Sequence, residues 1–287
     1  MSTDATSQQI EVMFSALHKR SAAGAIPAPE TLSTKLVNLV NVVEKVTGKT
    51  SRIIDPATFT CFATASVEMW HRSVHSFLVS ATLTKASPLW ASVSGYYSSH
   101  YSVRALAHLL GYFQLQSKKR ILQVELRGSQ YICHIIQKGA HDREHKFYWK
   151  TVKHHAQFEN DPFFTKNEEG QHSDSGHRSK ANYADHVNQF PKFYSLDQAF
   201  LRGRVEKIAG IELSDAPIPN KESYPDIENV QLIAYHRMVK FRKYVDEVLG
   251  NSNRFWKTHR KPEWCPSFLD FQVIEPKFAS VYKEQLS

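Results

Sequence analysis

The chain is 287 residues long, with 41% hydrophobic and 22% charged residues, a balance that excludes a wholly disordered or collagen-like protein and allows one large domain or two small ones. Its 36 Lys and Arg exceed its 28 Asp and Glu by a net charge of +8, which favours a polyanionic partner such as RNA, DNA or a nucleotide phosphate. The 3 cysteines are scattered and form no CxxC pair, so neither a disulfide framework nor a cysteine zinc knuckle is expected, and a reducing, cytoplasmic setting is.

In chain order, residues 3 to 22 place Ile10, Phe14 and Leu17 on one helical face. From Pro29 to Gly48, Leu32, Leu36, Val40 and Val43 keep a helical period, and Gly48 stands at a plausible C′ position. A longer helix is predicted over 56–83 on Phe59, Ala63, Val67, Trp70, Val74, Phe77 and Leu78. After Ser87-Pro88 another runs from Trp90 to about Phe113, with Tyr97, Tyr101, Leu106, Leu109, Leu110 and Phe113 as its apolar side; the short connection makes the two antiparallel neighbours.

The period then changes. Ile121, Leu122, Val124 and Leu126, followed by Tyr131, Ile132, Ile135 and Ile136, flank Arg127-Gly128-Ser129-Gln130 and predict a β-hairpin over about 120–137, inserted among helices. Residues 141–158 return to helical spacing, and 159–180 lack any apolar period after Phe163-Phe164. A short helix is expected over 196–210, then a proline-rich connector over 215–225. Val230, Ala234, Met238, Phe241, Val245 and Leu249 form a further amphipathic helix whose other side, His236, Arg237, Lys240, Arg242 and Lys243, is basic. No apolar run approaches the ~20 residues of a membrane helix, and the polar amino terminus predicts no leader.

Chemistry is most legible on the predicted 90–113 helix, where His100, Arg104 and His108 recur at i, i+4 and i+8 and read as one polar stripe opposite the tyrosine and leucine side. The preceding helix offers His71, Arg72 and His75. Imidazoles move protons near neutrality and guanidinium groups grip phosphate, so such a cluster suits phosphodiester cleavage or nucleotide binding. Arg104, His108, Arg72, His75, Arg237 and Lys240 are the candidate RNA- or nucleotide-binding residues; the alternative is that these are solvated helix faces. His134, His141, His145, His154 and His155 raise a metal reading through the i, i+4 pair His141 and His145. That pair lacks the glutamate placement of a zincin, and no metal site and no cofactor are expected. P-loop, G-x-G-x-x-G, G-x-S-x-G and kinase signatures are absent from the sequence.

The run Ala91-Ser92-Val93-Ser94-Gly95-Tyr96-Tyr97-Ser98-Ser99-His100-Tyr101-Ser102-Val103-Arg104-Ala105-Leu106 resembles the signature helix of the HEPN (higher eukaryotes and prokaryotes nucleotide-binding) superfamily. Ala65 to Leu78 is similar in order and distance to that family's first long helix, and Arg178-Ser179-Lys180-Ala181-Asn182-Tyr183-Ala184-Asp185 to its later R-x-x-A-(D/N)-Y stretch. The resemblance implies a mainly α-helical bundle over 56–250; the inserted hairpin, the N-terminal helices over 1–55 and an irregular aromatic tail over 251–287 packed on the bundle are read from the residues themselves, and the hairpin and tail depart from the family's minimal fold. The resemblance further implies a metal-independent endoribonuclease or an RNA- or nucleotide-binding protein, plausible in prokaryotic defence or a toxin–antitoxin pair, and a homodimer. In the cleaving version Arg178 and Arg104 hold phosphate while His100, His177 or His186 move protons. Seven residues separate Arg178 from His186, one more than the family's R-x4-6-H mark, and Tyr183-Ala184-Asp185 is similar to the inactive type. An inactive version would bind RNA, a nucleotide or a cognate partner protein, with no membrane association.

Overall fold

The computed structural model describes residues 12, 15, 19, 34–41, 51–115, 120–137, 144–155, 158 and 227–249. Residues 34–41 are helical and bury Leu36 and Val40, two members of the predicted stripe. Then follow β1 (Ser51–Ile54), α1 (Pro56–Ala86), α2 (Pro88–Leu109), β2 (Tyr112–Leu115), β3 (Arg120–Arg127), β4 (Gln130–Gln137), α3 (Glu144–Lys153) and α4 (Ile227–Leu249). Most of the segment expected over 3–22, those over 159–180, 196–210 and 215–225, and the aromatic tail lie outside the described residues.

The mainly α expectation is corrected to a mixed α/β fold, because the hairpin is the centre of a four-stranded antiparallel sheet in the order β1-β4-β3-β2. A lone two-stranded hairpin is marginal in water, and two flanking strands supply the extra ladders it needs. Ser51-Arg52-Ile53-Ile54 pairs with His134 to Tyr131 and so adds a strand within the stretch read as purely helical; Tyr112 to Leu115 pairs with Gln123 to Arg120. Phe113, expected on the long helix, therefore lies on a strand. Gly111 causes the break: at φ 86° it sits in left-handed backbone that ends a helix readily, and its carbonyl accepts the Val124 N–H at 2.8 Å, which starts the β2–β3 ladder. The hairpin turn at Gly128 (φ 59°) falls where the sequence predicts it.

The described chain divides into two compact units, with α1, α2 and α4 each contributing residues to both. The first holds residues through Met69, Arg104–Thr151 and the end of α4 from Lys243. Within it the sheet alternates as a half-buried sheet should: Tyr131, Cys133 and Ile135 are buried on β4, while Ile132, His134 and Ile136 are partly or fully exposed. On the more open face Glu125 Oε1 accepts from His134 Nε2 and Arg127 Nε, each at 2.8 Å. Burial raises the Cys133 thiol to about 12, which keeps it protonated.

The second unit takes Trp70–Val103, residues from Val152 and α4 as far as Arg242. Here α1, α2 and α4 pack closely because the α1–α2 seam is built from small residues. Ser73 Oγ donates to the Ser98 carbonyl at 2.8 Å, Ser98 Oγ donates back to the Ser73 carbonyl at 2.8 Å, and Ser80 Oγ donates to the Ala91 carbonyl at 2.6 Å. In the first unit Ser66 Oγ makes the same bond to the Ala105 carbonyl at 2.7 Å. Donors at 66, 73 and 80 meet acceptors at 105, 98 and 91, the heptad register of an antiparallel helix pair. Each hydroxyl returns its bond to the backbone, so the buried polar seam is satisfied. Across from it Phe77 meets Tyr235 at 5.8 Å, Trp70 stacks on Phe241 at 6.1 Å, and Trp70 Nε1 donates to the Met238 carbonyl.

Candidate functional site

The first unit gathers a compact polar–aromatic cluster around the end of α2. Arg104 and His108, one helical turn apart, are joined by Arg104 Nε donating to His108 Nε2 at 3.3 Å. The other imidazole nitrogen, Nδ1, lies 2.8 Å from the Tyr112 carbonyl just past the helix end. Since a carbonyl only accepts and the guanidinium only donates, His108 is neutral and carries its hydrogen on Nδ1. Burial, reinforced by the Arg104 charge, holds its pKa down at about 3. Phe113 stacks on its ring at 4.7 Å and Tyr148 meets it edge-on at 5.4 Å.

Tyr148 is the member of this cluster that sequence reasoning missed. Fully buried on α3, it lies beneath the Arg104 guanidinium, 5.1 Å from ring centroid to Cζ, and its hydroxyl oxygen accepts the Gln114 N–H at 3.0 Å. That bond satisfies an outward backbone donor of the edge strand β2. The available signal was the i, i+4 pair Tyr148 and Val152, overshadowed by the flanking Phe147 and Trp149.

In the second unit, His100 is 2% exposed and stacks on Tyr96, with ring centroids 6.3 Å apart and planes within 6°. Arg237 is fully buried and hydrogen-bonds to Ser99 Oγ through Nη1. The α4 side read as a basic surface is thus divided: Arg237 points into the helix packing, His236 and Lys240 are half-buried, and Lys243 is exposed. Burial, with Lys240 nearby, lowers the His236 pKa to about 4. On α1, Arg72 is exposed and His75 is half-buried, its pKa lowered by burial; His71 is buried against Trp70.

The polar stripe of α2 is consequently not opposite the tyrosines, as expected, but shares their side. At 3.6 residues per turn Tyr97 and Tyr101 fall on the same side as Arg104 and His108, not opposite them. His100 and His108 are buried, whereas Tyr97, Tyr101 and Arg104 are half-buried. Between Trp90 and Val103 every residue is buried except Trp90, Ser94, Tyr97 and Tyr101.

Arg178, His177 and His186 lie outside the described residues, as does His141. His134 is engaged with Glu125, and no group of three potential metal ligands occurs among the described residues. Among them, too, no helix is long and apolar enough to cross a membrane. No protein-family model, no curated protein and no solved structure matches the chain.

Proposed function

We propose that the protein binds RNA or a nucleotide through its helical part and does not cleave it with the α2 histidines. The observation that carries this reading is the state of His108: engaged at both ring nitrogens and held neutral down to about pH 3, it has no lone pair or proton to exchange with a 2′-hydroxyl near neutrality. Burial of His100 points the same way, since a general base must come within hydrogen-bond reach of the proton it takes. Binding draws support from the net charge of +8 and from the HEPN-like helix pattern, which in its inactive form retains nucleotide recognition.

The test is incubation of the purified full chain with a mixed RNA pool, with and without EDTA, followed by filter binding of the same pool. The expected result is intact RNA in every lane together with retention on the filter. Cleavage that persists in EDTA and disappears in His100→Ala would overturn the non-cleaving reading and install the metal-independent nuclease. Intact RNA without retention would leave a protein partner as the ligand.

A further inference from the structure

We infer that the exposed line of α2 is a base-stacking platform that selects single-stranded over duplex RNA, an inference that rests on the RNA-binding reading above. Trp90 is 55% exposed, and Tyr97 and Tyr101 are partly exposed, one and two further steps along the same helix face. The two tyrosine rings lie 6.1 Å apart and are tilted by 31°. From Trp90 to Tyr101 the line covers about 16 Å at the helical rise per residue, room for two or three bases splayed onto rings.

Its composition argues for nucleic acid rather than a protein groove-binder. The line holds two phenols, an indole and Ser94, with no aliphatic side chain of the kind that anchors an amphipathic partner helix. Nor does α2 contain a single Asp or Glu over Pro88–Leu109, and the α1 stretch Trp70–Ala86 contains none either, so a phosphate backbone following this helix meets no carboxylate from them. Aromatic faces on a helix that carries no acid of its own, in a chain of net charge +8, match what an unpaired strand offers: π surfaces joined by anions. In a duplex the same bases are stacked inside and unavailable.

The experiment titrates the full chain into an eight-nucleotide RNA carrying 2-aminopurine, and into the same sequence annealed to its complement. Wild type should bind the single strand at least tenfold more tightly than the duplex and quench the 2-aminopurine. Trp90→Ala and Tyr97→Ala should each weaken single-strand binding by about tenfold and relieve the quench, as expected when one stacking ring is lost, with duplex binding unchanged. Trp90→Phe should restore most of the affinity, which distinguishes lost stacking from lost folding. Wild type that binds RNA while both alanine variants retain full single-strand affinity would overturn the platform and leave RNA binding standing. No RNA binding by wild type would overturn both. A Trp90→Ala variant that changes sedimentation from dimer to monomer at unchanged RNA affinity would reassign the line to contact between copies.

Discussion

At the residue scale, a histidine's surroundings matter more than its identity. His108 looks like a proton carrier in sequence, yet its neutral, doubly engaged ring is part of the scaffold that joins the end of α2 to β2 and α3. The unfolded chain takes up a proton at this side chain near pH 6.5 and the folded chain only near pH 3, so the folded state binds fewer protons in between and stability falls as pH falls through that window. Between pH 7 and pH 5 this amounts to about 2 kcal/mol, to be read from urea unfolding of wild type against His108→Gln. The variant should lose that pH dependence; an identical loss in both proteins would acquit His108. Half-buried His236, lowered to about 4, contributes in the same direction. Ser99 offers a second residue-level prediction. Its hydroxyl serves the fully buried guanidinium of Arg237, so Ser99→Ala should cost about 2 kcal/mol in the same assay, well above an exposed serine such as Ser129 changed in the same way.

Close approach of helices is decided at the scale of the element. Gly95 is one point of close approach, because a Cβ there would lie 3.2 Å from both Ser80 Oγ and Val230 Cγ1. In an open helix Gly→Ala gains about 1 kcal/mol, whereas here the gain is opposed by those contacts. Gly95→Leu should therefore destabilise by about 1–3 kcal/mol in thermal or urea unfolding, with Gly95→Ala much closer to wild type. A Leu variant as stable as wild type would mean that α2 and α4 are not in contact at this position. Ser66, Ser73 and Ser80 stand a heptad apart, a spacing outside the features predicted from the sequence, and their partners at 105, 98 and 91 make them a hydrogen-bonded seam.

For the whole molecule, the excess positive charge predicts that RNA affinity depends on salt. Log affinity should fall linearly with log salt, with a slope of about −2 to −3 if three or four phosphates of a single strand are contacted. Filter binding from 50 to 300 mM KCl checks this, and a flat response would remove charge from the recognition. At this scale too, two compact units share α1, α2 and α4, so residues adjacent along one helix belong to different packing environments.

By itself the sequence determined the three long helices and the shorter α3 in or near their observed places and the 120–137 hairpin, because each rests on a local period or a turn glycine that the chain carries within a few residues. Strands β1 and β2 escaped it: four residues each, they are strands only because β4 and β3 lie alongside to accept their backbone hydrogen bonds. The candidate site divides in the same manner. That α2 bears histidines, an arginine and tyrosines is plain in the sequence, but which of them meet solvent depends on what packs against each side of the helix. Only the tertiary structure places Tyr148 and the Tyr112 carbonyl around His108 and leaves the aromatic line of Trp90, Tyr97 and Tyr101 outward, since burial and protonation are set by neighbours distant along the chain.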